Sequence, residues 1–119
     1  MSHALGARHR VPHGTANGIL LPHVMRFNAP VAAAKLALVA RALGVNGDLD
    51  DAALALAAAD KVSNLLVRTQ HPTKLSEVGV KPSDWAACAE LSLTDGATMT
   101  NPRAVRSAAE VEALYKGAS

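Results

Sequence analysis

Apolar residues recur every three or four positions along most of this 119-residue chain, the spacing of one buried face on an α-helix. A first helix is predicted over residues 3–10, ending before Pro12. Pro22 lies within the next helix and lacks a backbone N–H, so it is predicted to kink that helix or to split it in two. The buried face of this second helix is formed by Ala16, Ile19, Leu20, Val24 and Phe27.

Two longer patterns occupy the middle of the chain. Asn28-Ala29-Pro30 is expected to end the preceding helix, and a new helix is predicted over about 31–43, before Gly44. Another is predicted over about 50–69, beginning with two aspartates whose charges suit a helix N-terminus. The predicted apolar faces are Ala32, Leu36, Val39, Ala40 and Leu43 on the first, and Leu54, Ala58, Val62, Leu65 and Leu66 on the second.

Two more helices are predicted near the C-terminus, separated by a loop over 94–103. Pro82-Ser83-Asp84 begins the first, and Ser107 with Glu110 forms a capping box for the second. The expected buried residues are Trp85, Cys88, Leu91, Val111, Leu114 and Tyr115. Alternating strand patterns are almost absent, so the prediction is an all-α helical bundle.

Composition agrees with closely packed helices and reduces the number of possible partner classes. Half of the residues are hydrophobic but only 3% are aromatic, and alanine, a strong helix former, supplies much of the apolar content. The 12 Lys and Arg against 10 Asp and Glu are dispersed, which argues against nucleic-acid binding. No apolar stretch approaches the roughly 20 residues that span a bilayer, and no signal peptide is recognisable. A cytoplasmic protein without membrane contact is therefore expected.

Three histidines near the start are the residues most suited to chemistry. His3, His9 and His13 fall within eleven positions, and the turn at Pro12 allows His3 and His13 to converge. Neutral imidazole is the commonest metal ligand, but a catalytic metal site needs about three protein ligands, and no carboxylate precedes Asp48. Spacing alone leaves two readings open: a metal site, or histidines that are simply solvated or hydrogen-bonded.

A resemblance to a known family favours the first reading. The chain resembles the C-terminal helical domain of the iron-containing (group III) alcohol dehydrogenases over essentially its whole length. The most specific matches are Pro12-His13-Gly14-Thr15-Ala16-Asn17 and Leu20-Leu21-Pro22-His23-Val24. Further matches, in order, are His3-Ala4-Leu5-Gly6-Ala7, Phe27-Asn28, Leu75-Ser76-Glu77-Val78-Gly79-Val80, Asp95-Gly96, Thr100-Asn101-Pro102-Arg103 and Ala109-Glu110-Val111-Glu112-Ala113-Leu114-Tyr115.

The resemblance implies roles for individual histidines. The family binds one divalent metal, iron or zinc, through an aspartate and three histidines, and His13 matches the last of these ligands. His3 matches a histidine that faces the nicotinamide of NAD(P) and the substrate, and is therefore the candidate catalytic and cofactor-binding residue. The metal would act as a Lewis acid on the oxygen of a small alcohol or aldehyde. His23 is interpreted as a packing or hydrogen-bonding residue, and His9 receives no role.

The family's other parts are not found within residues 1–119. Its remaining metal ligands would lie upstream of His3, and no Gly-x-Gly-x-x-Gly or other phosphate-binding loop occurs. Our hypothesis is that 1–119 is a partial C-terminal helical domain, that Met1 is an internal methionine of a longer enzyme, and that an N-terminal nucleotide-binding domain is absent. The complete enzyme is expected to be a homo-oligomer, and the isolated chain to be inactive.

Two other functions remain alternatives at this stage. The first is a non-catalytic helical module that docks with a partner chain supplying the missing half. A third reading is a metal-binding or sensing protein that uses His3, His9 and His13 together. That reading requires His9 to matter as much as His13 does.

Overall fold

The computed structural model describes residues 1–119 and confirms an all-α fold. The fold has six α-helices, and the connection between the third and the fourth contains two 3₁₀ turns, at Leu75–Val78 and Pro82–Asp84. None of the helices combines the length and apolar content that a membrane span requires. The α-helices are α1 Ser2–His9, α2 His13–Ala42, α3 Asp51–Arg68, α4 Trp85–Leu93, α5 Gly96–Met99 and α6 Ala108–Gly117.

Helix α2 covers the second and third predicted helices, with a break in the backbone between them. Its helical backbone continues past both Pro22 and Pro30, and the one non-helical residue inside it is Ala32, with φ −127° and ψ 20°. The predicted break at Asn28–Pro30 is therefore confirmed to within two residues of Pro30, whereas Pro22 does not split the helix. A proline removes one backbone hydrogen bond and crowds the preceding turn, and the break here follows Pro30 by two residues. The bend separates α2 into two halves that pack in different places.

The first half of α2 belongs to the main core, together with α1, α4, α6 and the 75–80 segment. Tyr115 lies at its centre without solvent exposure, and its hydroxyl donates to the Met1 carbonyl oxygen at 3.1 Å and lies 3.0 Å from the Ser92 hydroxyl. The predicted burial of Cys88 is confirmed. The core residues are Ala4, Leu5, Val11, Ala16, Ile19, Leu20, Leu75, Val80, Cys88, Ala89, Val111, Tyr115 and Ala118.

The second half of α2 forms an antiparallel hairpin with α3 and has a smaller core. Its buried members are mostly alanines, since small side chains allow two helices to approach closely. Val39, Leu43 and Leu65 were predicted to be buried, but they are exposed on the flanks of this hairpin. The helices turn their alanine faces towards each other instead. The members of this second core are Met25, Ala37, Ala40, Leu54, Ala58 and Ala59.

The C-terminal region differs from the prediction in three details, the first being that Leu91, predicted to be buried, is 42% exposed. The predicted loop over 94–103 contains the short helix α5, which Asp95 caps by accepting from the Ala97 N–H at 3.1 Å. The predicted capping box of α6 is half formed. The Ser107 hydroxyl accepts from the Glu110 N–H at 3.4 Å, but the Glu110 carboxylate accepts from the N–H of Arg106 at 2.6 Å.

Candidate functional site

The junction of α1 and α2 brings His3 and His13 face to face. Their ring centroids lie 5.0 Å apart with an angle of 16° between the ring planes. Arg10, in the left-handed region at φ 55°, ends α1, and its N–H donates to the Gly6 carbonyl at 3.0 Å. The chain then reverses through Pro12 into α2. This reversal places two residues that are ten positions apart in sequence on one surface.

Asp95 completes this arrangement, although the sequence there matched the family only through Asp95-Gly96 and indicated no role for it. The Nδ1 atom of His3 lies 2.9 Å from the Asp95 carboxylate, which also accepts from the Met1 ammonium at 3.3 Å. A carboxylate is only an acceptor, so Nδ1 of His3 carries the hydrogen and Nε2 is left free to accept one. The sequence placed Asp95 in a predicted loop, and its contact with a residue 92 positions away was not recognisable.

The electrostatic surroundings keep Asp95 ionised. Burial alone raises the pKa of this carboxyl, but the Ala97 N–H, the positive charge of the N-terminus and the hydrogen bond from His3 outweigh burial and lower the pKa below its usual value. The side chain of Asp95 is 14% exposed, whereas that of His3 is 61% exposed. An ionised, largely sheltered carboxylate thus holds an imidazole that is open on its other side.

The remaining histidines lie elsewhere. His9 packs near the start of α4, where its Nε2 is buried, lies 3.8 Å from an Asp84 carboxylate oxygen and has no hydrogen-bond partner. His23 is half-buried, with a pKa lowered by burial and by the charge of Arg26. No three His, Cys, Asp or Glu side chains lie close enough together to hold a metal ion. The structure therefore does not bring His3, His9 and His13 into one three-histidine group.

We expect Asp95→Asn to release His3 while leaving α5 intact. Asparagine caps helices about as well as aspartate, so the bond from the Ala97 N–H should persist, whereas the charge that holds Nδ1 is lost. The measurement is the proton NMR spectrum of the His3 and His13 rings, whose stacking gives mutual ring-current shifts. These shifts should shrink in Asp95→Asn. Asp84→Asn, the matched control beside His9, should leave them unchanged, and equal shifts in all three proteins would contradict this role.

The same carboxylate gives the chain an acid-sensitive contribution to stability. Because the pKa of Asp95 is lower in the folded chain than in the unfolded one, its contribution is complete above about pH 4 and is lost as pH falls through the folded pKa. Asp95→Asn should therefore flatten the acid limb of a plot of unfolding free energy against pH.

Comparisons with known proteins agree on one family. A model of the Fe-containing alcohol dehydrogenase family, C-terminal part, matches residues 1–119. The chain is 40% identical over 107 residues to 1,3-propanediol dehydrogenase of Citrobacter freundii, and 42% identical over 106 residues to lactaldehyde reductase of Escherichia coli strain K12. These matches cover 87% of this chain but only 27% of each relative.

Solved structures give the same result. A crystal structure of 1,3-propanediol oxidoreductase superposes with a TM-score of 0.94 and 34% identity, and an alcohol dehydrogenase from Oenococcus oeni with a TM-score of 0.93 and 28% identity. Each superposition covers 99% of this chain and 31% of the other one. The 119 residues thus correspond to less than a third of these proteins.

Proposed function

Since the chain belongs to the Fe-containing alcohol dehydrogenase family, we propose that it forms the C-terminal helical wall of a metal-dependent, NAD(P)-linked alcohol dehydrogenase site. The observation that carries this proposal is the stacked His3–His13 pair with Asp95 behind it. The reaction proposed for the complete enzyme is hydride transfer between a nicotinamide cofactor and a small alcohol or aldehyde. A nucleotide-binding domain would have to come from outside residues 1–119.

His13 can supply one ligand of a metal site. Residues 1–119 alone do not supply a complete set of ligands. Its imidazole is exposed beside His3, and neutral imidazole suits both iron and zinc. A site with three or four protein ligands requires further donors, which these residues do not bring together. A bound divalent metal would supply the Lewis acid that polarises the alcohol or carbonyl oxygen.

His3 is suited to moving the proton that accompanies hydride transfer. Asp95 holds Nδ1 through a 2.9 Å hydrogen bond, so the other ring nitrogen, Nε2, is the one that accepts a proton during alcohol oxidation and returns it during aldehyde reduction. The negative charge of Asp95 stabilises the imidazolium that forms. The exposed ring leaves room for a nicotinamide and a small substrate against it.

The purified 119-residue chain is expected to be inactive and to bind divalent metal weakly, because it has one matched ligand and no phosphate-binding loop. The comparison is with a completed enzyme, in which this chain replaces the matched C-terminal segment of Citrobacter freundii 1,3-propanediol dehydrogenase, 40% identical over 107 residues. NAD reduction with 1,3-propanediol should appear in the completed enzyme only. Turnover by the isolated chain, or a folded completed enzyme without turnover, would contradict the proposal.

A further inference from the structure

A second concave site lies away from His3, His13 and Asp95. It is a cleft of about 460 Å³ between the middle of α2, the loop before α6 and α6 itself. This volume is within the range of small-molecule sites, about 300–1,000 Å³. Its apolar surface comes from Phe27, Ala113 and Leu114, and its polar groups from His23, Arg26, Arg103 and Glu110.

Arg103 is held rigidly at this cleft. Its guanidinium lies over the Phe27 ring, 4.2 Å from the ring centroid, and donates to the Phe27 carbonyl at 3.1 Å. The loop that carries it is fastened to α2 by paired side-chain amides, with Asn28 and Asn101 donating to each other at 3.0 and 2.7 Å. Because the Arg103 side chain is already ordered, binding a ligand to it costs little conformational entropy.

The positive charge of Arg103 is also unpaired. None of the ion pairs in the structure involves Arg103, whereas Arg26 is bound to Asp60 at 2.6 Å. Glu110, on the facing helix, accepts from the Arg106 N–H at 2.6 Å and does not reach Arg103. His23 has a pKa lowered by burial and by Arg26, so it lines the cleft as a neutral imidazole. The cleft therefore offers one free guanidinium beside one carboxylate.

We propose that this cleft binds a small monocarboxylate with a short apolar body. The carboxylate would pair with Arg103, whose planar donors match its geometry, and the body would pack on Phe27 and Leu114. A multiply charged anion such as a phosphate is disfavoured, because Glu110 would repel the charge that one guanidinium leaves unbalanced. This proposal does not depend on the dehydrogenase function and remains testable if that function is wrong.

The test is an NMR titration of the purified 119-residue chain with benzoate, with neutral benzamide of nearly the same shape as the comparison. Saturable shifts should appear at Phe27 and Leu114 with benzoate, and benzamide should bind about tenfold or more weakly, the usual value of a charge-assisted hydrogen bond. Equal binding of the two compounds, or no saturable shift at those residues, would overturn the proposal.

Three variants test the assigned charges. Arg103→Gln should weaken benzoate binding about tenfold or more. Arg68→Gln removes the same charge from an exposed position at the end of α3 and should leave binding unchanged. Glu110→Gln keeps an acceptor for the Arg106 N–H but removes the repulsion, so binding should tighten. If Arg103→Gln unfolds the chain, the Glu110→Gln variant still tests the proposal. Benzoate binding to Glu110→Gln that is unchanged or weaker would contradict it.

Discussion

Replacing His3 with alanine in the completed enzyme is expected to lower kcat by about 10² to 10⁴, the usual contribution of a positioned general acid–base group. Asp95 fixes Nδ1 of the ring at 2.9 Å and leaves Nε2 free, so the substitution removes the proposed proton carrier without removing His13. Steady-state kinetics with 1,3-propanediol and NAD measures the change. A decrease in kcat with little change in KM would indicate a role in proton transfer, whereas an increase in KM alone would indicate a role in substrate binding.

The matched control is His9→Ala. His9 lies near Asp84 with a buried Nε2 and takes no part in the stacked pair, so its removal should leave kcat within a few-fold of the parent. Equal losses for His3→Ala and His9→Ala would support a three-histidine site and refute the assignment of His3. An unchanged kcat in His3→Ala would refute it as well.

Leu5→Ala is expected to lower the free energy of unfolding by about 2–5 kcal/mol, the range for truncating a fully buried leucine. Leu5 has no solvent exposure and belongs to the main core on the side of α1 that packs against α2 and α4. Alanine would leave a cavity there. Because α1 also carries His3, the substitution should loosen the stacked pair as well as the fold.

Urea unfolding of the 119-residue chain gives the free energy of unfolding that tests this prediction, and Leu38→Ala is the control. Leu38 is 72% exposed on the outer face of the α2–α3 hairpin, so its truncation should change stability by no more than about 0.5 kcal/mol. If the two substitutions cost the same, α1 is not packed as described. The position of His3 would then lose its structural support.

Most of the fold was predictable because helical periodicity depends on local sequence. The predicted residues 50–69 became α3, Asp51–Arg68, and the last helix begins after Ser107 as predicted. The errors arose where tertiary packing decides the outcome. The break in α2 lies at Ala32, close to the predicted one, but the α2–α3 hairpin buries Ala37 and leaves Val39 and Leu43 exposed.

The candidate site was only partly predictable. The resemblance assigned roles to His3 and His13 because both lie in specific motifs, and their spacing across Pro12 allowed them to meet. Asp95 was not assigned because its contact with His3 depends on how α5 packs beside α1, which no local pattern reveals. The cleft at Arg103 was missed for the same reason, since α2 and α6 form it from distant parts of the chain.

The metal content of the completed enzyme tests the central claim most directly, because the claim is that this chain contributes a ligand to a shared site. Inductively coupled plasma mass spectrometry of the purified protein should find about one iron or zinc per chain, the content of a single mononuclear site. His13→Ala should lose most of this metal together with turnover, while His9→Ala keeps both. Full metal occupancy in a folded His13→Ala protein would contradict the account.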